Sequence, residues 1–330
     1  MWFEKLTGFS EENHHQVHQN IEIQGKNLVS KVNGSSFQFG SLEIPQLADL
    51  RQRSHSFLKG TASIRISEYV GNIQDYHCDP LNNGAIFQAA SQFNLLEMVG
   101  PNVTPENGVG IYEYDKTQGP ACAISCGAGT IYRNYFVEVN GRRGQTKDNQ
   151  IDCLKDIGRA LGNENDRLWI MSNGYALPSA KGLNEVNQLI EEMSNEEYDQ
   201  LKALLRVGIQ WDTQVTLNAC SSIVSQVYCS GLPVSYSNIP QSDWEPFARM
   251  ILEACYEATF HAGVINYHKT GNPKVYLTLV GGGAFGNSIE WIFDALRLCL
   301  SKFKSEPLDV RIVSYGRSNS AIQALIASFQ

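Results

Sequence analysis

Four glycines fall within six positions in Val280-Gly281-Gly282-Gly283-Ala284-Phe285-Gly286-Asn287. Residues without a Cβ let the main chain approach a ligand closely, and N–H groups exposed at the start of a helix attract an anion such as phosphate. A tight strand-to-helix turn is the plain alternative, but it needs fewer glycines. The same residues fit the spacing GxGxxG (Gly281, Gly283, Gly286), which suggests an NAD-dependent oxidoreductase with a Rossmann-type unit. Two features oppose that reading. Such a unit usually opens its domain, whereas only residues 287–330 follow Gly286. Its ribose-binding acid should end the next strand, whereas Asp309 begins it.

A second glycine-bearing region runs from Gly71-Asn72-Ile73-Gln74-Asp75 through Asn82-Asn83-Gly84 to Gln88 and Asn94. His14, His15 and His18, spaced HHxxH, could meet a metal on one helical turn, although a solvated polar segment explains them as well. The eight cysteines form no CxxC pair. Several, such as Cys255 in ILEACYEA and Cys299 in LRLCLSKF, lie in apolar runs. They read as reduced core thiols of a cytoplasmic protein, with no metal site and no cofactor implied.

The elements around these residues follow from periodicity. TASIRISEYV alternates like a strand, and NNGAIFQAAS, GPACAISCGAG and TIYRNYFVEV read as short buried strands. Residues 1–60 read as an N-terminal extension. Residues 141–206 read as a helical insertion into a domain spanning 61–330, because DNQIDCLKDIGRAL, LNEVNQLIEEM and YDQLKALLRV all have helical spacing. Ser194 and Glu197 form a capping box before the last of these, and Ser242 and Glu245 form another further on. SQVYCSGLPV, a helix from Trp244, KVYLTLV, IEWIFDALRLCLSKF, DVRIVSY and NSAIQALIASF then alternate strand and helix. That order predicts an α/β fold with a largely parallel sheet covered on both faces.

Composition narrows the function. With 42% hydrophobic and 18% charged residues the chain reads as a soluble globular protein. Its 26 Lys and Arg against 34 Asp and Glu leave a net charge of −8, which argues against a sequence-independent nucleic-acid partner. No apolar run reaches the length of a membrane span, and MWFEKLTGFSEENHHQ lacks the apolar core of a signal peptide.

The ordered series of motifs resembles the macrodomains. Those proteins open with a G-D-I-T turn and a strand ending in N-A-A-N; here stand Gly71-Asn72-Ile73-Gln74 and Gln88-Ala89-Ala90-Ser91. QVYCSGLPVS, the helix from Trp244 and KVYLTLVGGGAFGN continue the match, which covers about residues 62–140 and 208–330. FQAASQFNLLEM, DKTQGPACA and GTIYRNYF resemble a divergent branch, the MavL-like arginine ADP-ribosylhydrolases. The resemblance implies a three-layer α/β/α sandwich with a mixed, largely parallel sheet. It also implies removal of ADP-ribose from arginine side chains of a modified protein partner, or, without turnover, an ADP-ribose-binding module.

By the same resemblance Asn72 and Ile73 would meet adenine, and Gln88 and Asn94 would position the distal ribose, although a buried amide fixing a loop explains Gln88 as well. Thr117 and Gln118 could orient the ligand or simply form the turn before Gly119-Pro120. Gly281, Gly282, Gly283, Ala284, Gly286 and Asn287 would wrap the diphosphate, with Phe285 against the distal ribose. Hydrolysis of a ribosyl bond needs a carboxylate that orients water or carries a proton, and negative charge beside an oxocarbenium-like transition state. Asp115, Asp212 and Glu97 are the candidates, and the sequence leaves open which of them acts. Arg133 reads as a phosphate contact or a surface ion pair.

Overall fold

Seven strands hydrogen-bond into one mixed sheet in the computed structural model, which describes residues 1–58 and 60–329. They are β1 (Ser41–Glu43), β2 (Arg65–Val70), β3 (Ile86–Ala90), β4 (Gly208–Gln214), β5 (Ile223–Cys229), β6 (Lys274–Leu277) and β7 (Asp309–Ser314). Their order across the sheet is β1-β4-β5-β3-β6-β7-β2. The β5-β3, β3-β6, β6-β7 and β7-β2 pairs are parallel, and β4 runs antiparallel to both of its neighbours. Strands buried on both faces need continuous apolar runs, which KVYLTLV and the segment around Ile86 supply.

The packed helices are α1 (Leu47–His55), α2 (Ile73–Cys78), α3 (Gln118–Ser125), α4 (Gly127–Ile131), α5 (Ala180–Glu192), α6 (Asn195–Lys202), α7 (Glu245–Thr270), α8 (Ile289–Lys302) and α9 (Ser320–Ala327). Neighbouring side chains of β3 show that helices cover both faces. Phe87 stacks on His77 of α2 at 3.9 Å, whereas Gln88 donates to the Thr259 hydroxyl of α7 at 2.8 Å. Successive strand residues point to opposite faces, so α2 and α7 lie on opposite sides. Gly263 brings α7 against the sheet: a Cβ there would stand 2.8 Å from Val275. Beside α7 pack α1 and α8. Buried Glu257 of α7 gathers Arg51 (2.6 Å), Lys202 (3.5 Å) and Lys302 (2.5 Å) from α1, α6 and α8. Against the opposing effect of burial, contacts with His261, Arg51 and Lys302 hold the Glu257 carboxyl below the usual range.

Several segments differ from the sequence reading. Residues 1–60 supply the edge strand β1 and the helix α1, so they complete the sheet rather than merely precede it. The helices Trp2–Thr7 and His14–Asn20 bury Phe3, Leu6 and Val17 in a second apolar cluster with Leu96, Met98, Tyr112 and Tyr135. Residues 141–206 are not wholly helical: Trp169–Ser172 and Tyr175–Pro178 form a hairpin. Its turn is Asn173-Gly174, both with positive φ, the residue pair that favours such a turn. GPACAISCGAG forms α3 and α4 instead of a strand, and TIYRNYF continues as helical turns. Short apolar runs do not distinguish strand from helix. Here the small residues serve close packing: a Cβ on Gly127 would lie 2.7 Å from Trp2. Ser194 caps α6 in the expected box, but α7 starts at Glu245 after a 3₁₀ turn over Gln241–Trp244, with Pro246 in its first turn.

Candidate active site

All five parallel strands end at one groove. In α/β sheets the carboxyl ends of the strands, where helices and loops diverge, form the usual binding crevice. Gly71-Asn72-Ile73 after β2, Thr278-Leu279 after β6 and residues 313–320 around the end of β7 line a cavity of about 650 Å³. Ser91 after β3, Gly231 after β5 and the glycine loop line a second cavity of about 210 Å³. Gln118, Thr278 and Leu279 belong to both and join them.

The glycine loop is set by its main chain. Gly281 (φ 71°) and Gly286 (φ 72°) adopt the left-handed conformation, and a Cβ on Gly286 would strike the Ser235 hydroxyl at 1.8 Å. The Asn287 side chain donates to the carbonyls of Leu232 and Gly281, pinning the loop to the segment after β5. Gly282 packs against Ile292. The N–H groups of Gly281, Gly283, Ala284 and Phe285 donate to no described residue. Gly281, Gly283, Ala284 and Phe285 face the smaller cavity; Gly282, Gly286 and Asn287 shape the loop from behind. Phe285 forms a wall with Tyr175 and Tyr236, their rings 5.0–5.6 Å apart.

Two of the three expected carboxylates meet here. Glu97 and Asp115 both line the smaller cavity. Glu97 is 3% exposed, its N–H donates to the Tyr112 hydroxyl at 3.0 Å, and its Oε1 has no partner among the described residues. Burial pushes its carboxyl well above the usual carboxylate range; Arg133 opposes that shift and Asp115 adds to it. A buried carboxyl shifted toward its protonated form thus stands beside a second, more accessible one, a pairing suited to separate acid and base roles. The Asp115 side chain accepts from the Thr117 N–H at 2.8 Å, which aims the Asp115-Lys116-Thr117 turn into the start of α3.

Asp212 is not part of this site. It lies in antiparallel β4 level with the start of β3, so it sits at the amino ends of the parallel strands. At about 3.3 Å per residue that is roughly 13 Å along the sheet from the groove. Its carboxylate pairs with Lys269 at the end of α7. Gln88 and Asn94 also leave the expected ribose contact. The Gln88 amide ties β3 to α7 and accepts from the Thr278 N–H, while the Asn94 side chain pairs with Gln150 and the Leu96 N–H. Asn72 and Ile73 line the larger cavity, where the Asn72 side chain caps α2 by accepting from Gln74. Thr117 lines the smaller one, and the Gln118 amide bonds along one edge of β3 by accepting from the Ala90 N–H and donating to the Gln88 carbonyl. Arg133 is neither a surface residue nor a phosphate contact, because it is fully buried under Tyr228.

Sequence reasoning missed Tyr175, Tyr236 and the loop at 314–320. The loop hangs on Glu68 of β2, whose carboxylate accepts from Ser314, Ser318, Asn319 and Gln323. No motif marks these residues; only the topology brings them to the groove. Asp309, the acid that a Rossmann unit would need at the end of its second strand, opens β7 and pairs with Arg311 at 2.7 Å. His14 and His18 turn toward the carbonyls of Pro105 and Tyr135, and among the described residues no group of three His, Cys, Asp or Glu is arranged to hold a metal ion. No helix among them is long and apolar enough to cross a membrane.

No protein-family model matches the chain, and no curated protein matches it. Among solved structures it is similar to poly(ADP-ribose) glycohydrolase from Deinococcus radiodurans in complex with ADP-ribose, with 9% identity over 87% of this chain and 91% of that one and a TM-score of 0.45. It is also similar to the enzyme from Thermomonospora curvata bound to the inhibitor ADP-HPD, with 10% identity over 99% and 98% and a TM-score of 0.45. At such identities and scores the site has to be argued from its own residues. The layered α/β architecture itself stands on the strand pairing described above.

Proposed function

We propose that the chain is an ADP-ribosylhydrolase that frees ADP-ribose from modified protein side chains, arginine foremost. The observation that carries this reading is one groove holding four main-chain N–H groups and a buried Glu97 Oε1, all without a partner among the described residues, together with a second carboxyl at Asp115. The larger cavity is sized for the adenosine, the free N–H groups suit the diphosphate, and the smaller cavity suits the distal ribose. Neutral donors explain how a chain of net charge −8 would accept an anion.

The chemistry follows from the two carboxyls. The bond from the anomeric carbon to the guanidine nitrogen breaks with its electron pair on nitrogen, which takes the Glu97 proton. Asp115 orients water, faces the positive charge developing on the ribose, and accepts the proton released as the water oxygen bonds to the anomeric carbon. A guanidinium entering between two acids is matched in charge, which favours arginine as the modified residue. The eight free cysteines suit a reducing, cytoplasmic setting.

The test is release of ADP-ribose from an arginine-ADP-ribosylated protein by wild type, Glu97→Gln and Asp115→Asn. Wild type releases it, and each variant loses at least about a hundredfold in rate. Binding of ADP-ribose by a wild-type protein that releases none would overturn the hydrolase and leave a reader of the modification.

A further inference from the structure

Glu97 lies on a turn that is strained and tied at almost every main-chain group. Leu95 has φ 65°, a left-handed conformation that a branched side chain rarely adopts and that persists only when its surroundings enforce it. The Leu95 carbonyl accepts from Arg133 Nε at 3.1 Å. The adjoining Asn94 carbonyl accepts from Gln145, and the Gln92 side chain takes the Met98 N–H. Arg133 is itself unusual. It is fully buried, its guanidinium carbon stands 3.6 Å over the Tyr228 ring, and Nη2 donates to the Thr130 hydroxyl at 3.0 Å. No carboxylate lies within ion-pair distance of it among the described residues. Arg133 Nη1 and Glu97 Oε1 are both buried without a partner. A buried cation left to neutral partners costs free energy, so its retention beside the site calls for a role.

We propose that Arg133 is a positioning residue for Glu97: it clamps the Leu95 carbonyl, so holding the strained turn that presents the carboxyl to the cavity, and stands behind that carboxyl as a fixed positive charge. Its bearing on turnover rests on the hydrolase reading, but its effect on Glu97 does not. The other ionisable groups that act on Glu97 or feel its charge are Asp115, Tyr112, Tyr175, Cys122 and Tyr228. Arg133 is the cation among them, and its charge works against the effects of burial and Asp115. Removing that opposing charge leaves burial and Asp115 unopposed and moves the carboxyl upward.

The experiment follows Glu97 directly, through the pH dependence of its protonated-carboxyl infrared band, identified by subtracting the spectrum of Glu97→Gln. Arg133→Met is expected to raise the midpoint by one unit or more. An unchanged midpoint in a folded Arg133→Met protein overturns the proposal. Arg133→Lys carries the test if Arg133→Met does not fold. It keeps the charge, so the midpoint stays near that of wild type, while turnover falls at least tenfold because an ammonium does not reproduce the rigid fork in which Nε reaches Leu95 and Nη2 reaches Thr130. Wild-type turnover in Arg133→Lys, or a midpoint raised as far as expected for Arg133→Met, overturns it. If wild type releases no ADP-ribose, the hydrolase reading falls while the infrared titration still decides the role of Arg133.

Discussion

Gly119→Ala should disable the site by displacing the Glu97 carboxyl while leaving every reacting group chemically intact. Gly119 is the second residue of α3, and its missing side chain is what lets the helix start press against the end of β3. A Cβ there would stand 1.9 Å from the Ala90 carbonyl and 2.3 Å from Glu97 Oε2. Ordinary contact begins at 3.4 Å, so the carbonyl must retreat by about 1.5 Å and the carboxyl by about 1.1 Å. Neither move is free, because Gln118 holds the Ala90 N–H at 3.1 Å and the turn carrying Glu97 is clamped. Overpacking of this kind costs about 1–3 kcal/mol, which for a chain of this size lowers Tm by roughly 1–4 °C. A carboxyl displaced by about 1 Å costs roughly a hundredfold in rate. Thermal unfolding and initial rates of ADP-ribose release measure the two effects together. A Gly119→Ala protein with wild-type Tm and wild-type rate would refute the packing argument and the role given to Glu97.

Other perturbations separate the loop, the distant acid and the core. Gly283→Ala places its methyl where nothing lies within 4 Å, so stability stays within about 0.5 kcal/mol while calorimetry shows weaker ADP-ribose binding. Asp212→Asn breaks only the pair with Lys269 at the far end of the sheet, and hydrolysis rates should stay within about twofold of wild type. Burial holds the His77 imidazole down to about 4, against an ordinary value of 6.5. The unfolded chain therefore binds the extra proton between those values, and stability is complete above pH 6.5 and falls as the pH drops toward 4. The difference corresponds to about 3 kcal/mol, so chemical denaturation across that window should show a shallower slope in His77→Gln than in wild type.

The sequence disclosed some of this architecture and concealed the rest for identifiable reasons. The strands at Ile86, Lys274 and Asp309 were legible because each is an apolar run bounded by turn residues, and the helix at Ile289 because its apolar positions recur at helical spacing. The small-residue run of α3 and α4 offers no such contrast. The Asn173-Gly174 hairpin lies between segments of helical spacing, which dominate the pattern of residues 141–206. At the site, glycine spacing pointed to the loop and local composition to Glu97 and Asp115. Gln88 and Asn94 resembled ligand contacts because a buried amide that braces a fold and one that holds a ribose are chemically alike. Asp212 was misplaced because GIQWDTQVT reads as a loop after the inserted helices, whereas it forms antiparallel β4, whose direction decides which end of the molecule the acid reaches.

A crystal structure of the protein soaked with ADP-ribose tests the central claim most directly. The account predicts adenosine in the cavity beside Asn72, the diphosphate on the N–H groups of Gly283, Ala284 and Phe285, and the anomeric carbon of the distal ribose facing Glu97 and Asp115. A distal ribose turned away from both carboxyls, or a ligand bound outside this groove, would contradict it.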